Sequence, residues 1–303
     1  MFRTHGEKSV DFGWDSLIAP IDAERFERDY FSKKPLHLKA RALPDSGLET
    51  IDGWRSMLQG QPTRRQGRRL VVDLDPAAKR AEPLAPELKA MVDQGGPLIV
   101  NGIERVNPTV CRLADMVAAG LGGQAVVNGY LSPYKQDALD LHADNHEVVV
   151  LQLHGVKRWT IGTKIAKGLV HSSLFAIDNA AVSEHARRTD KFRSLELHPG
   201  DLLYLPRGLV HQATATEGGA IHLSIGIFRP TGLDFAELVL RRLIAEPSSR
   251  EYFANLRLDR DETDNRVYMD FIADRFTSLA RNQTLRSDFL NQCRRHARGD
   301  LDE

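Results

Sequence analysis

His142, Asp144 and His211 are the residues whose types and spacing most directly imply chemistry. Two imidazoles and one carboxylate make a facial ligand set that suits Fe(II) and leaves coordination positions open. His142 and Asp144 are two apart, so on a β-strand both side chains leave the same face. His211 lies 69 residues after His142, at the end of the segment 199–211. That segment, PGDLLYLPRGLVH, reads as turn, strand, turn and a new strand carrying the histidine. The chain has 11 histidines, so a His-x-Asp pair alone says little. Its weight comes from the strand-like setting of both pieces and from a third element at suitable spacing.

That element is Lys157. Glu147 to Leu153 is apolar and β-branched and reads as a buried strand. His154-Gly155 is a turn signal, and Val156 to Ile161 reads as the returning strand of a hairpin. On that strand Lys157, Trp159 and Ile161 share one face, and the two apolar residues belong inside. A buried ammonium is costly unless it meets an anion, which an anionic cosubstrate would supply. The competing role is a lysine that snorkels to the barrel rim. Asn128 lies in the strand Ala125–Leu131, where a buried amide needs a polar partner. Its competing role is an Asn-Gly turn with Gly129.

Taken in order, these segments resemble the JmjC-type Fe(II)/2-oxoglutarate oxygenases, most closely the ribosomal oxygenase subgroup of cupin-fold protein hydroxylases. The matching pieces are Asn128 to Pro133, His142-Ala-Asp144, Leu151 to Trp159, Pro199 to His211 and Ile221 to Ser224. Asn128 falls 14 before His142 and Lys157 falls 15 after it, the spacing of that subgroup. Phe31 to Leu38 resembles the family's opening segment, and the resemblance runs over residues 14 to 230. It implies that His142, Asp144 and His211 ligate iron, and that Lys157 pairs with the distal carboxylate of 2-oxoglutarate. Asn128, Tyr130 and Ser224 would be further polar supports for that cosubstrate. Ser224 has a competing role as a barrel-wall hydroxyl bonded to nearby backbone. His146, four after His142, would share the face of the ligands, either contacting substrate or packing at the barrel mouth.

The elements that must position these residues can be read from pattern. Asp22 caps a helix over Ala23 to Phe31, before an extended Pro35 to Leu38. Residues 41–107 mix short elements, with a basic loop over Gln61 to Arg69. Asn107 and Pro108 open a helix that Gly122 stops. Strands are expected at 148–153, 158–161, 194–197, 201–205, 210–215 and 220–228. Between them, residues 164–193 form a loop over the barrel mouth, where substrate selection is usually decided. From Thr231 the period switches to helical, with Leu233, Phe235, Leu238, Val239, then Val267, Phe271, Ile272, Phe276, and a third helix near Thr284.

The expected fold is mainly β with added helices: a double-stranded β-helix (cupin/JmjC jelly roll) plus a C-terminal helical region. The expected parts are an N-terminal helical and extended region at 1–122 packing on the barrel, a catalytic core at 123–229, and a helical region at 230–303. By the resemblance, and because its apolar residues are too many to leave in water, the last of these is expected to make a homodimer; the rival arrangement folds these helices back on the barrel of a monomer. Only 73 residues follow Pro230, short for a further winged helix, so that module is expected to be reduced or absent. This weighs against a ribosomal protein as substrate.

Lys+Arg and Asp+Glu are 41 each, a formal net charge of zero, so nothing global favours nucleic acid or membrane. Two distant cysteines, Cys111 and Cys293, give no disulfide framework and fit a reducing cytoplasm. No apolar run approaches the roughly 18 residues of a membrane span, and Met1 to Glu7 shows no apolar signal core.

The expected activity is that of a hydroxylase, a dioxygenase using Fe(II), 2-oxoglutarate and O2 on a side chain in a protein or peptide. Alternatives are a hydroxylase of a free amino acid or small metabolite, and a non-catalytic metal-binding cupin.

Overall fold

The computed structural model describes residues 13–41, 43–67, 69–77, 86, 89–90, 97–132, 139–170, 172, 184–188, 190–250 and 263–297. The chain divides into two compact units, Met1–Val170 with Asp178–Phe228, and His171–Ile177 with Arg229–Glu303.

The first unit opens with two short helices, α1 (Trp14–Ile18) and α2 (Ala23–Asp29). Asp22 caps α2 by accepting from the Arg25 amide at 2.7 Å. The edge strand β1 (Leu36–Leu38) and helix α3 (Ile51–Met57) follow. Three strands come next, β2 (Thr63–Gln66), β3 (Arg69–Asp73) and β4 (Leu98–Asn101). Helix α4 (Pro108–Leu121) has the expected ends: the Asn107 side chain accepts from two amides, and Gly122 is left-handed. The remaining strands are β5 (Gln124–Ser132), β6 (Glu147–Ile165), β7 (Phe192–Leu197), β8 (Leu202–Leu205) and β9 (Leu209–Phe228).

They form one nine-stranded sheet in the order β1-β8-β6-β9-β5-β4-β3-β2, with β7 also on β6. The fold is therefore mainly β with added helices, and the sheet wraps into the jelly roll expected from the sequence.

Three expectations change. The hairpin at His154-Gly155 is absent: β6 runs unbroken for 19 residues. Gly155 has φ +64, as a turn glycine would, but it marks an irregularity where β6 shifts register against β9. The strands expected at 210–215 and 220–228 are likewise one 20-residue strand, β9, with Gly218 and Gly219 at positive φ between them. The basic segment 61–69 is a hairpin rather than a loop: Thr63 pairs with Val72 and Gln66 with Arg69, around Gly67 at φ +63.

The irregularities have a positional consequence. Val148 and Val150, at even positions of β6, pack in one core cluster with Trp159 and Ile161, at odd positions. An unbroken two-residue alternation would put the second pair on the opposite face, so the shifts between Gln152 and Lys157 change its phase. The opposite face of β6, Val149 and Leu151, packs with Trp14, Phe26, Trp54 and Val117 from the helices. Burial on both faces explains the uninterrupted apolar run. On β5 and β9 the helix side takes Val127, Leu131, Leu223 and Ile225. Alternation then leaves Asn128, Tyr130, His222 and Ser224 on the barrel interior.

The second unit holds helices α5 (Gly232–Ala245), α6 (Thr263–Arg281) and α7 (Gln283–Ala297). Thr231 and Asp234 form a capping box at the start of α5. Phe235 and Phe289 meet at a ring separation of 5.3 Å. Among the described residues no helix is long and apolar enough to cross a membrane. Residues 1–12, Pro133 and, within the expected mouth loop 164–193, residues 171, 173–183 and 189 lie outside those described.

Candidate functional site

His142, Asp144 and His211 converge. One donor atom from each lies within 4.8 Å of the others. Asp144 Oδ1 is 3.6 Å from His142 Nε2, and Oδ2 is 3.4 Å from His211 Nε2. His211 is the third residue of β9, on a strand as expected. His142 and Asp144 are not on a regular strand: their segment touches β9 through an isolated bridge. There the His142 amide donates to the His211 carbonyl at 3.1 Å, and the His211 amide returns a bond at 2.7 Å. The Gly208 amide holds the Asp144 carbonyl at 2.9 Å.

Both imidazoles are oriented by main chain. His142 Nδ1 lies 2.6 Å from the Asp140 carbonyl, and His211 Nδ1 lies 2.9 Å from the Leu209 carbonyl. A carbonyl only accepts, so each Nδ1 carries a proton, and in the neutral ring Nε2 is the nitrogen whose lone pair faces the centre. Burial pushes His211 down to about 4, against the pull of Asp144. Burial alone would raise the Asp144 carboxyl, but His211, His146 and His142 outweigh it and hold it below the usual range. A divalent metal needs its imidazole ligands neutral and its carboxylate ionised, and the depressed His211 and Asp144 both lean that way.

A cavity of about 170 Å³ opens beside the three residues. Asn128, Tyr130, His146, His222 and Ser224 line it, with Trp159 and Ala213. Facing positions bring these together: Asn128 pairs with Ser224, and Tyr130 with His222. The rings of Tyr130 and His222 stack at 4.7 Å. Burial, reinforced by the Asp144 charge, pushes the Tyr130 hydroxyl up to about 12, so it stays a neutral donor. Asn128 Oδ1 is buried without a hydrogen-bond partner. His146 stacks on Phe228 at 4.4 Å, and its Nδ1 lies 3.0 Å from Asn145 Oδ1.

Lys157 is fully buried on the inward face with Trp159 and Ile161. It does not itself line the cavity. Its ammonium donates to Ser132 Oγ at 2.7 Å and to His222 Nδ1 at 2.9 Å. The sequence reading gave no role to Ser132 or His222. Each stood inside a quoted segment, and only strand pairing reveals that they meet Lys157. A second buried network lies close by. Glu147 accepts from Ser32 Oγ and Tyr204 OH, both at 2.5 Å, and from the Arg207 amide at 3.1 Å. It anchors the turn that leads to His211.

A family model described as JmjC domain matches residues 101–235. Ribosomal oxygenase 2 of Rattus norvegicus is 28% identical over 232 residues, covering 71% of this chain and 47% of the relative. Ribosomal oxygenase 1 of Homo sapiens is 31% identical over 242 residues, covering 76% and 36%. The chain thus spans about half or less of these curated relatives. The solved structure of YcfD, a ribosomal oxygenase from Escherichia coli in complex with cobalt and 2-oxoglutarate, superposes with a TM-score of 0.53. It is 19% identical and aligned over 90% of this chain and 71% of that one, a likeness of fold.

Proposed function

We propose that this chain, which carries a JmjC domain and is similar to ribosomal oxygenases, is an Fe(II)- and 2-oxoglutarate-dependent oxygenase. It would hydroxylate an amino-acid side chain in a protein or peptide and release succinate and CO2. The observation that carries the reading is the convergence of His142, Asp144 and His211 with both Nδ1 atoms already committed to carbonyls. The donor set fits Fe(II): two imidazole nitrogens and one carboxylate oxygen, with no further ligand among the described residues. Iron bound there would supply the coupling of 2-oxoglutarate decarboxylation to oxygen insertion into a C–H bond. The protein's own residues bind, orient and exclude.

Three observations support the cosubstrate. The cavity adjoins the triad, its far wall carries neutral donors, and a buried ammonium stands behind that wall. Tyr130 and Ser224 would bond a carboxylate through hydroxyls. Asn128 would donate from its amide nitrogen, since the buried, unpartnered Oδ1 can only accept. Lys157 would offset the distal charge. Trp159, Val148 and Ala213 keep the chamber apolar around the reacting atoms.

Protein substrates are favoured by the relatives' names, and a ribosomal protein is the first class to test. We place the protein in the cytoplasm, on its two distant free cysteines. We also propose a homodimer through the C-terminal helices. Val267 and Met269 on α6 and Leu290 on α7 are 65%, 58% and 52% exposed, more apolar surface than helices usually leave in water.

The experiment is succinate release with Fe(II), 2-oxoglutarate and O2, paired with a search for +16 mass shifts in offered proteins, peptides and metabolites. Protein modification that needs all three cosubstrates supports the reading. Oxidation confined to a free metabolite selects the small-molecule alternative, and metal binding without turnover selects the binding protein.

A further inference from the structure

We propose that Glu147, aimed by Tyr204 and Ser32, is a positioning residue for the metal centre. Its carboxylate fixes the turn that sets Asp144 and His211 against each other, so metal affinity depends on the N-terminal segment that carries Ser32. The proposal rests on the reading of His142, Asp144 and His211 as metal ligands and deepens it.

Glu147 is a costly acid to bury. It is 4% exposed, and its hydrogen-bond partners are three neutral donors, Ser32 Oγ, Tyr204 OH and the Arg207 amide. A buried carboxylate without a cation in its hydrogen bonds gains little stability for the water it gives up. Stability alone is a weak reason to keep it there.

The turn it grips serves two of the three metal-binding residues. The Gly208 amide donates to the Asp144 carbonyl at 2.9 Å, and the Leu209 carbonyl accepts from His211 Nδ1 at 2.9 Å. Arg207, the residue before Gly208, donates its amide to Glu147 Oε2 at 3.1 Å. Glu147 follows Asp144 by three residues. The two bonds, Gly208 to Asp144 and Arg207 to Glu147, therefore close a short ring between the segment of one ligand and the turn before the other. Without the Arg207 bond one side of that ring opens, and the spacing of Asp144 and His211 loses a constraint.

The carboxylate is itself held from the far end of the chain. Tyr204 OH donates to Oε2 and accepts from the Ser32 amide at 2.8 Å, while Ser32 Oγ donates to Oε1. Ser32 has φ +52, a left-handed backbone that residues with side chains seldom adopt. In that conformation its amide and its hydroxyl both bond to the network. Strain of this kind persists where the surrounding structure enforces it, often at functional sites.

Mn(II) affinity separates positioning from plain structural support. Metal-free wild type and variants are compared by urea melts. Mn(II) is then titrated by the paramagnetic resonance of the free ion, without urea, where circular dichroism shows each variant folded. Tyr204→Phe keeps the ring against Phe26 and removes one hydroxyl. Ser32→Gly tolerates the left-handed backbone and removes the other. Each is expected to weaken Mn(II) binding about tenfold, and Glu147→Ala should weaken it further. Glu147→Gln, which still offers an oxygen to the Arg207 amide, should recover most of the loss. Ser32→Gly should add nothing to Glu147→Ala, since both act through one carboxylate. Wild-type Mn(II) affinity in Tyr204→Phe or Ser32→Gly, beside a lowered urea midpoint, overturns the proposal and leaves the metal-centre reading intact. Failure of the wild type to bind Mn(II) overturns both. If Glu147→Ala does not fold, the two hydroxyl variants decide: weakened binding in both supports the positioning role, and wild-type affinity in either rejects it.

Discussion

His142 and His211 each commit Nδ1 to a main-chain carbonyl, so their metal-binding nitrogens are selected before any metal arrives. Asp144 supplies the only negative charge of the three. Asp144→Ala is expected to abolish 2-oxoglutarate turnover and iron retention while far-ultraviolet circular dichroism stays native. Turnover at the wild-type rate would remove the assignment. Lys157→Ala should raise the 2-oxoglutarate requirement by roughly tenfold to a hundredfold, the loss of a charge-assisted hydrogen bond. Lys157→Arg should lose less, since the cation remains; saturation curves with varied 2-oxoglutarate measure both. These residues were legible because their chemistry is carried by side-chain type and spacing. His222 was not, since a histidine between Ile221 and Leu223 looks like any other strand residue until Lys157 is found against it.

Elements were legible by pattern where pattern is local. Asn107, Pro108 and Gly122 bound α4 as expected because caps act within one turn. The inward face of Lys157 was also legible, since Trp159 and Ile161 sit two and four residues on. The hairpin was misread because a glycine at positive φ serves a turn and a strand irregularity equally well, and only the partner strand tells them apart. At Gly155 an added Cβ would lie 2.2 Å from the Gly219 carbonyl oxygen. Gly155→Ala should therefore cost at least about 2 kcal/mol, read as a lower urea midpoint at unchanged slope.

Asp201 joins β1 to the turn before β8. It accepts from the amides of Ala40 and His198 and contacts His37 Nε2 at 3.0 Å. Burial would raise its carboxyl, but these amides and His37 together hold it below 3.8. A carboxyl depressed on folding stabilises above its unfolded value, and that stability is lost as pH falls through the folded one. Asp201→Asn should cost about 1–3 kcal/mol at neutral pH. It should also flatten the acid limb of the stability profile below about pH 4, measured by denaturant melts across pH.

For the molecule as a whole, the N-terminal segment is part of the barrel's core. Trp54 is fully buried among residues of β4, β5 and β9, and a Cβ at Gly129 would strike its ring at 2.2 Å. Strands β2 to β4 escaped the sequence reading because they are short and lack alternation, and β4 finds its partner β5 across α4. The C-terminal helices were legible from their 3.6-residue period. Light scattering is expected to report a dimer at micromolar concentration, and Val267→Glu with Met269→Glu should shift it toward monomer. A wild-type monomer would rule out the dimer.

The paired main-chain bonds between His142 and His211 have a kinetic corollary. β9 is zipped along β6 from Phe228's neighbour Ile227 back to Leu209; on its other side β5 pairs with Ala220 to Phe228, and beyond that stretch His142 is held by one isolated pair. Closing that pair joins residues 69 apart in sequence and returns two hydrogen bonds, so it should form late and fray early. Metal release would then track this local fraying rather than global unfolding. The His142 amide should exchange its proton well before that of Ile225, and Mn(II) should slow the first without touching the second.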